Sequence, residues 1–231
     1  MDLSGLEEKI GQTLHNKELY AQAFTHTSYV HENKGKQVEL DNERLEYLGD
    51  AVLELIVSEH LYHRFPDMSE GELTRLRSRI VCEPSLAAFA KGLHFGEYVF
   101  LGKGEEMAGG RNRPALLADV FEAFIGALFL DQGVEVAKQF LAKIVFPHID
   151  DENWLVQITD AKSMLQEVVQ QKGQGTVEYR IVDVKGPAHD RQFDAEVWLL
   201  DRRMGHGTGR SKKEAEQAAA SMALKQFQTQ N

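Results

Sequence analysis

Hydrophobic positions in the first two-thirds of the chain recur with a helical period. From Asn42 to Arg64 there is no proline and one glycine, Gly49; at about 100° per residue Leu45, Leu48, Val52, Leu55 and Ile56 fall on one face. Glu70 to Val81 and Pro84 to Gly92 read as two further helices, the second with proline in its first turn. Gly102 to Pro114 (GKGEEMAGGRNRP) has the composition of a surface loop. Pro114 then opens a helix from Ala115 to Leu130, which Asp131-Gln132-Gly133 ends, and another spans Val134 to Phe146. No stretch in this region alternates with period two.

The pattern changes after Pro147. His148 to Asn153 has little apolar periodicity, which predicts a linker at 149–157 between a first domain, 1–148, and a second, 158–231. Asp160 to Lys172 reads as a helix with Asp160 as its N-cap. Thr176 to Val184 and Arg191 to Leu200 read as strands: Val177, Tyr179 and Ile181 alternate with polar residues in one, and Phe193, Ala195, Val197 and Leu199 in the other. A third strand near Arg203 to Thr208 leads into a helix from Lys212 to Gln226 capped by Ser211. The expected architecture is an all-α domain followed by a small α+β domain of order α-β-β-β-α.

Composition narrows the class. With 231 residues, 42% hydrophobic and 27% charged, the chain suits two packed, soluble domains rather than disorder. The acidic start, Met1 to Glu8, argues against a signal peptide, and the longest apolar run, Ala115 to Leu130, is broken by Asp119 and Glu122. A cytoplasmic protein without membrane attachment is expected. The single cysteine, Cys82, excludes an internal disulfide and a cysteine metal cluster. The net charge of −10 is hostile to nucleic acid on average, but it is unevenly placed. Residues 1–150 hold 15 Lys and Arg against 24 Asp and Glu, whereas 151–231 hold 11 against 12. In the second part the basic residues gather at Arg202, Arg203, Arg210, Lys212 and Lys213.

The acidic residues carry the candidate chemistry. Glu43, Glu46, Asp50 and Glu54 are spaced +3, +4 and +4, within an arc of roughly 80° on one helix. Alone, that row is equally an ordinary solvated face. The helix from Ala115 to Leu130 decides between the readings: it is apolar nearly all round, so it should be buried, yet it carries Asp119 and Glu122 three residues apart. Ionised carboxylates there are costly unless compensated. Pairing with Arg44, Arg75, Arg77 or Arg79, protonation, or a metal shared with Glu46 and Asp50 would each relieve the cost; the metal accounts for both acidic rows at once. An all-carboxylate site without His or Cys selects Mg²⁺ or Mn²⁺ over zinc. Such ions promote phosphodiester hydrolysis and invert the local field that would otherwise repel RNA.

Asn42-Glu-Arg-Leu-Glu-Tyr-Leu-Gly-Asp-Ala-Val-Leu53 closely resembles the signature stretch of the ribonuclease III family, and Leu117-Ala-Asp-Val-Phe-Glu-Ala-Phe-Ile-Gly126 its second acidic motif. Ala23 to Ser28, Glu70 to Arg77 and the Gly102 to Arg113 loop also resemble family segments, and the likeness covers essentially the whole chain in the bacterial two-domain arrangement. The resemblance implies an endonuclease for double-stranded RNA, with ribosomal and messenger precursors as substrates. It implies that Glu46, Asp119 and Glu122 ligate the metal, that Asp50 positions the attacking water, and that Glu122 is essential to catalysis. Glu43 and Glu70 match assisting acidic positions. It further implies a homodimer through the catalytic domain, and products with 5′-phosphates, 3′-hydroxyls and short 3′ overhangs. His26 reads as a packed histidine rather than a general base. Arg111 and Arg113 read equally as phosphate contacts or as part of a solvated loop.

Residues 160–228 resemble a double-stranded-RNA-binding domain through Ser163-Met-Leu-Gln-Glu167, Gly186-Pro-Ala-His189 and Gly207 to Ala219. Lys212 and Lys213 stand at a helix N-terminus, where backbone N–H groups and the dipole already favour phosphate. Ser163, Gln166 and Glu167 offer short polar groups for a shallow minor groove, and His189 sits on a loop that reaches the next one; such recognition spans ~16 base pairs and reads shape. Gly205 to Ser211 lacks the G-x-x-x-x-G-K-S/T spacing of a phosphate loop, so no nucleotide cofactor is expected. Two rival readings stand beside the nuclease: a non-catalytic double-stranded-RNA-binding protein, and an all-α nucleotide pyrophosphohydrolase, which would leave residues 160–228 unexplained.

Overall fold

The computed structural model describes residues 2–34, 40–151, 154, 161–173, 175–187 and 191–228, with the side chains of Glu167, Gln171 and Gln228 left aside. The chain divides into two compact units, Met1–Asp151 and Glu152–Asn231. Most of the residues expected to link the domains, the proposed N-cap Asp160 and the loop residue His189 lie outside the described residues.

Unit 1 is helical: α1 (Ser4–Ile10), α2 (Lys17–Ala23), α3 (Thr27–Glu32), α4 (Glu43–Arg64), α5 (Glu70–Ile80), α6 (Glu83–Gly92), α7 (Phe95–Tyr98), α8 (Lys103–Met107), α9 (Pro114–Gln132) and α10 (Val134–Ile144). Local chemistry sets several of these boundaries. Ser69 and Glu72 form a reciprocal capping box at the start of α5, and Pro84 and Pro114 stand in the first turns of α6 and α9, where a missing N–H costs nothing. The Gly102 to Pro114 segment, expected as loop, contains α8 and a 3-10 turn at Gly110–Asn112.

The apolar helix is central, as its composition demands. α9 buries eleven residues from Leu116 to Leu128 and receives α2, α4, α6 and α10 around it. Tyr20, Phe24, Phe95, Phe121, Phe124 and Phe140 are fully buried and touch one another edge-on or tilted around it. Its C-terminal end is tied down by Asp131, whose carboxylate accepts from the Tyr20 hydroxyl at 2.8 Å and from the backbone N–H groups of His15 and Asn16.

Two glycines fix how closely α4 and α9 approach. A Cβ placed on Gly49 would strike the backbone carbonyl of Glu122, and one on Gly126 would strike that of Leu45. The helices therefore cross backbone against backbone. The face of α4 that packs is Leu45, Gly49, Val52, Leu53, Ile56, Val57 and Leu61. Leu55, expected on that face, is 63% exposed and lies on the outer side with Tyr47 and Tyr62. The packed stripe is broader than the expected arc and displaced round the helix toward Leu53 and Val57.

Unit 2 comprises α11 (Ala161–Gln171), β1 (Val177–Lys185), β2 (Gln192–Leu199), β3 (Arg202–Gly209) and α12 (Lys212–Gln228). The strands form an antiparallel sheet of order β1-β2-β3, with Tyr179 opposite Val197 and Val197 opposite Gly205. Both helices contribute to one core with the inward residues Ala195, Val197 and Leu199. Gly205, Gly207 and Gly209 present a bare strand to α12, and a Cβ on any of them would collide with that helix around Glu214, Ala215 or Ala219. Close strand–helix packing, not phosphate binding, accounts for this glycine run.

Substituting Gly49→Ala should force α4 and α9 apart and destabilise unit 1 by about 2–3 kcal/mol, lowering its melting temperature on the order of 5–10 °C. Gly92→Ala, at a helical site with open space around it, should leave the temperature unchanged or raise it slightly. Thermal melts of the two variants check the contrast.

Candidate active site and RNA interface

The α4–α9 crossing brings together carboxylates that are far apart in sequence. One carboxylate oxygen each from Glu46, Asp119 and Glu122 lies within 4.8 Å of the other two. All three side chains are half-buried. Among the described residues, none of the three makes a hydrogen bond or ion pair with a lysine or arginine. Arg77 is turned to Ser58 at 2.9 Å and Arg44 is exposed. Pairing with arginine is thus not how these charges are relieved.

The electrostatic consequence is large. Burial, then the charges of Asp50, Glu46, Asp119 and Glu54, push the Glu122 carboxyl up to about 8. Glu46 is raised by burial and by Asp119, Glu43 and Asp50; Asp119 is raised by burial and by Glu83. Without a cation Glu122 therefore holds a proton at neutral pH. With one, three hard oxygen donors at this separation suit an oxygen-preferring divalent ion.

The other acidic candidates are placed differently. Asp50 is exposed, outside the group of three, yet of all neighbouring charges it acts most strongly on Glu122. Glu43 is exposed one turn before Glu46 and adds to the field there. Glu70 opens α5, accepts from the Thr74 hydroxyl at 3.0 Å, and is not among the charges acting on Glu46, Asp119 or Glu122. It lines a groove with Leu55, Tyr62 and Met68 instead. Sequence reasoning did not single out Glu83. It reaches Asp119 only because α6 packs beside α9, and no spacing rule announces that.

His26 caps α3. Its Nδ1 accepts from the Ser28 N–H at 3.2 Å, and the Ser28 hydroxyl lies 2.8 Å from the same atom. Burial lowers its pKa, so it stays neutral as a structural cap. Arg111 donates to the carbonyls of Gly96 and Val99 and pairs with Glu106, while Arg113 pairs with Glu105. Arg111 thus staples the loop to the turn before it, a role outside both sequence readings, whereas Arg113 is exposed and pairs within the loop.

In unit 2, Lys212 and Lys213 occupy the first two positions of α12 and are exposed. Ser211 Oγ accepts from the Glu214 N–H, and Glu214 accepts from the Arg210 N–H, so the helix start is rigidly capped beneath them. Ser163 is exposed and Gln166 half-buried on α11, three residues apart; Glu167 follows on the same helix. Arg203, by contrast, is held on the sheet by Glu196 at 2.8 Å.

A helical domain with a carboxylate cleft, followed by an α-β-β-β-α domain presenting lysines at a helix start, defines a nuclease-type enzyme with an RNA-reading module. Comparison with known proteins agrees. Residues 16–149 match the Ribonuclease-III-like family and residues 161–227 the double-stranded RNA binding motif. Ribonuclease 3 of Geobacillus thermodenitrificans is 61% identical over 219 residues, 95% of this chain and 88% of that protein; its Bacillus cereus counterpart is 59% identical over 224 residues, 97% of this chain and 91% of that one. The nuclease domain of ribonuclease III from Campylobacter jejuni superposes with a TM-score of 0.58 at 38% identity, covering 64% of this chain and 99% of its own. The chain belongs to the ribonuclease III family and is an endoribonuclease of double-stranded RNA. The binding-only and pyrophosphohydrolase readings are set aside.

The raised Glu122 carboxyl has a testable sign. Between its ordinary value of 4.5 and about 8, the folded chain holds a proton that the unfolded chain has lost. The stability this contributes is fully present below 4.5 and disappears as the pH rises through 8. In EDTA, the wild-type melting temperature should therefore fall from pH 5.5 to 8.5 relative to that of Glu122→Gln. Parallel melting curves across that range would contradict the assignment.

Proposed function

We propose that Glu46, Asp119 and Glu122 hold a divalent cation, Mg²⁺ with Mn²⁺ as a substitute, and that with Asp50 they hydrolyse phosphodiester bonds in both strands of an RNA duplex. The observation that carries this reading is the grouping of those three carboxylate oxygens within 4.8 Å with, among the described residues, no cationic side chain bonded to them. When bound, the cation supplies positive charge to the phosphate oxygens and makes water acidic enough to attack at neutral pH.

The residues divide the remaining work. Asp50 is exposed and its charge acts on Glu122, which supports a role in accepting a hydrogen bond from an incoming water and orienting it toward phosphorus. Glu122, once deprotonated, would complete the anionic cradle with Glu46 and Asp119. Attack on phosphorus breaks the bond to the 3′ oxygen, leaving a 5′-phosphate and a 3′-hydroxyl. Glu43 extends the acidic field on the open side of α4, where further cation density would gather along the backbone.

A homodimer through unit 1 goes with this reading, and would leave short 3′ overhangs by cutting the two strands at offset positions. Tyr47 (83%), Leu55 (63%) and Tyr62 (69%) form an exposed apolar row on α4, continued by Met68, more than a lone soluble helix leaves uncovered. A region of the Campylobacter jejuni nuclease domain is involved in dimer formation. Glu70 lies on this same groove, so any contribution it makes to cutting would come through the pair rather than within its own cluster.

Ser163, Gln166, Glu167, His189, Lys212 and Lys213 are proposed to read the duplex, the lysines on phosphate and the others in the minor groove. Ribosomal and messenger precursors folded into long hairpins are the substrates this arrangement suits. A cytoplasmic place of action accompanies them; among the described residues no helix is long and apolar enough to cross a membrane.

Incubation of a long RNA duplex with protein and Mg²⁺ should give short duplex products, and EDTA should stop the reaction. Glu122→Ala and Asp119→Ala should lower cleavage by at least about 10³-fold, equivalent to ~4 kcal/mol of barrier, while duplex binding persists in gel-shift assays; brisk cleavage by either would remove the ligand assignment. The double variant Lys212→Ala/Lys213→Ala should weaken binding and reduce the slope of log affinity against log salt by about 2. An unaltered slope would exclude both lysines from phosphate contact.

A further inference from the structure

Asn42 stands one helical turn before Glu46, at the head of α4, and only 3% of its surface is exposed. Asparagine is among the best N-cap residues, yet this one makes no side-chain cap: its backbone is already helical, with φ −86° and ψ −11°. The main chain is fully used, since its N–H donates to the Thr25 carbonyl and its C=O accepts from the Glu46 N–H, each at 2.9 Å. The side chain is not. Nδ2 is buried and has no hydrogen-bond partner. Unpaired buried donors are rare in folded proteins, and one that persists beside a functional cluster calls for an acceptor that arrives later.

Helix geometry says which acceptor is at hand. Residues four apart share a face, with Cβ atoms about 5–6 Å from each other, and a helical side chain leans back over the turn before it. Glu46 is therefore the acceptor that helix geometry brings within reach of the Asn42 side chain. Glu46 currently makes no hydrogen bond to it. We propose that Asn42 is a positioning residue for the carboxylate cluster: its Nδ2–H donates to Glu46 and fixes the orientation of that carboxylate when the cluster closes on its cation. The inference rests on Glu46, Asp119 and Glu122 holding the ion, and adds a residue that touches neither the ion nor the RNA. Partners that orient a metal-binding side chain in this way are commonly worth 10–100-fold in affinity.

A merely structural asparagine and a positioning one predict opposite results. Mn²⁺ is titrated into RNA-free wild-type, Asn42→Ala and Asn42→Leu protein, with bound ion followed by loss of the free-ion electron paramagnetic resonance signal and melting recorded in EDTA alongside. Both variants should bind Mn²⁺ about tenfold or more weakly. The leucine variant, which fills the space without an orphan donor, should melt in EDTA at or above the wild-type temperature. An Mn²⁺ affinity within about twofold of wild type in either variant would overturn the proposal, as would a leucine variant that melts well below wild type in EDTA. A wild-type protein that binds no Mn²⁺, or a Glu122→Ala variant that binds as tightly as wild type, would instead overturn the underlying ligand assignment.

Discussion

The geometry of unit 1 hangs on the contact between Gly49 and the backbone of Glu122, mirrored by Gly126 against Leu45. At that crossing no side chain separates the two helices. The flanking residues, Glu46 on one and Asp119 and Glu122 on the other, are thereby forced close enough to share a ligand. Coulomb repulsion alone would push them apart. What holds them is the apolar packing of α9 on all sides, with buried aromatic residues around it and Asp131 anchoring its end to the loop before α2. Hydrophobic burial, large in sum, is set against a smaller electrostatic cost.

That opposition also resolves the charge paradox of the whole chain. A surface carrying nine excess negative charges over residues 1–150 would by itself repel a polyanion. Unit 2 presents exposed lysines on a capped helix start, and unit 1 groups carboxylates that could hold cations in place of basic residues. Each unit lacks what the other supplies.

Much of this was legible in the sequence, because the signals were strong violations of local preference. Carboxylates in an apolar helix pointed to Asp119 and Glu122, and the period-two stretches located β1 and β2 to within a residue or two. Other features were invisible for physical reasons. Leu55 looked like core because periodicity marks an apolar arc but not which edge of it a neighbour covers. Arg111 was read as either a phosphate contact or a solvated residue because nothing in a glycine-rich stretch reveals the carbonyls of Gly96 and Val99 waiting for it. Glu83 and Asn42 gain meaning only from helix packing, which brings in partners remote in sequence or denies them. The glycines of β3 could be set apart from a phosphate loop by spacing, but their packing partner, the alanine face of α12, shows only in the fold.

The proton on Glu122 has a bearing on how the chain matures. A cluster that needed its ion to exist would leave the newly made polypeptide unfolded until the ion arrived, as in small domains whose folding energy is metal-binding energy. Here burial and neighbouring charge push one carboxyl up to about 8, which lowers the electrostatic cost of docking the helices without an ion. If the cluster takes up an ion as proposed, assembly and arming would be separate events, divided by the loss of one hydrogen ion.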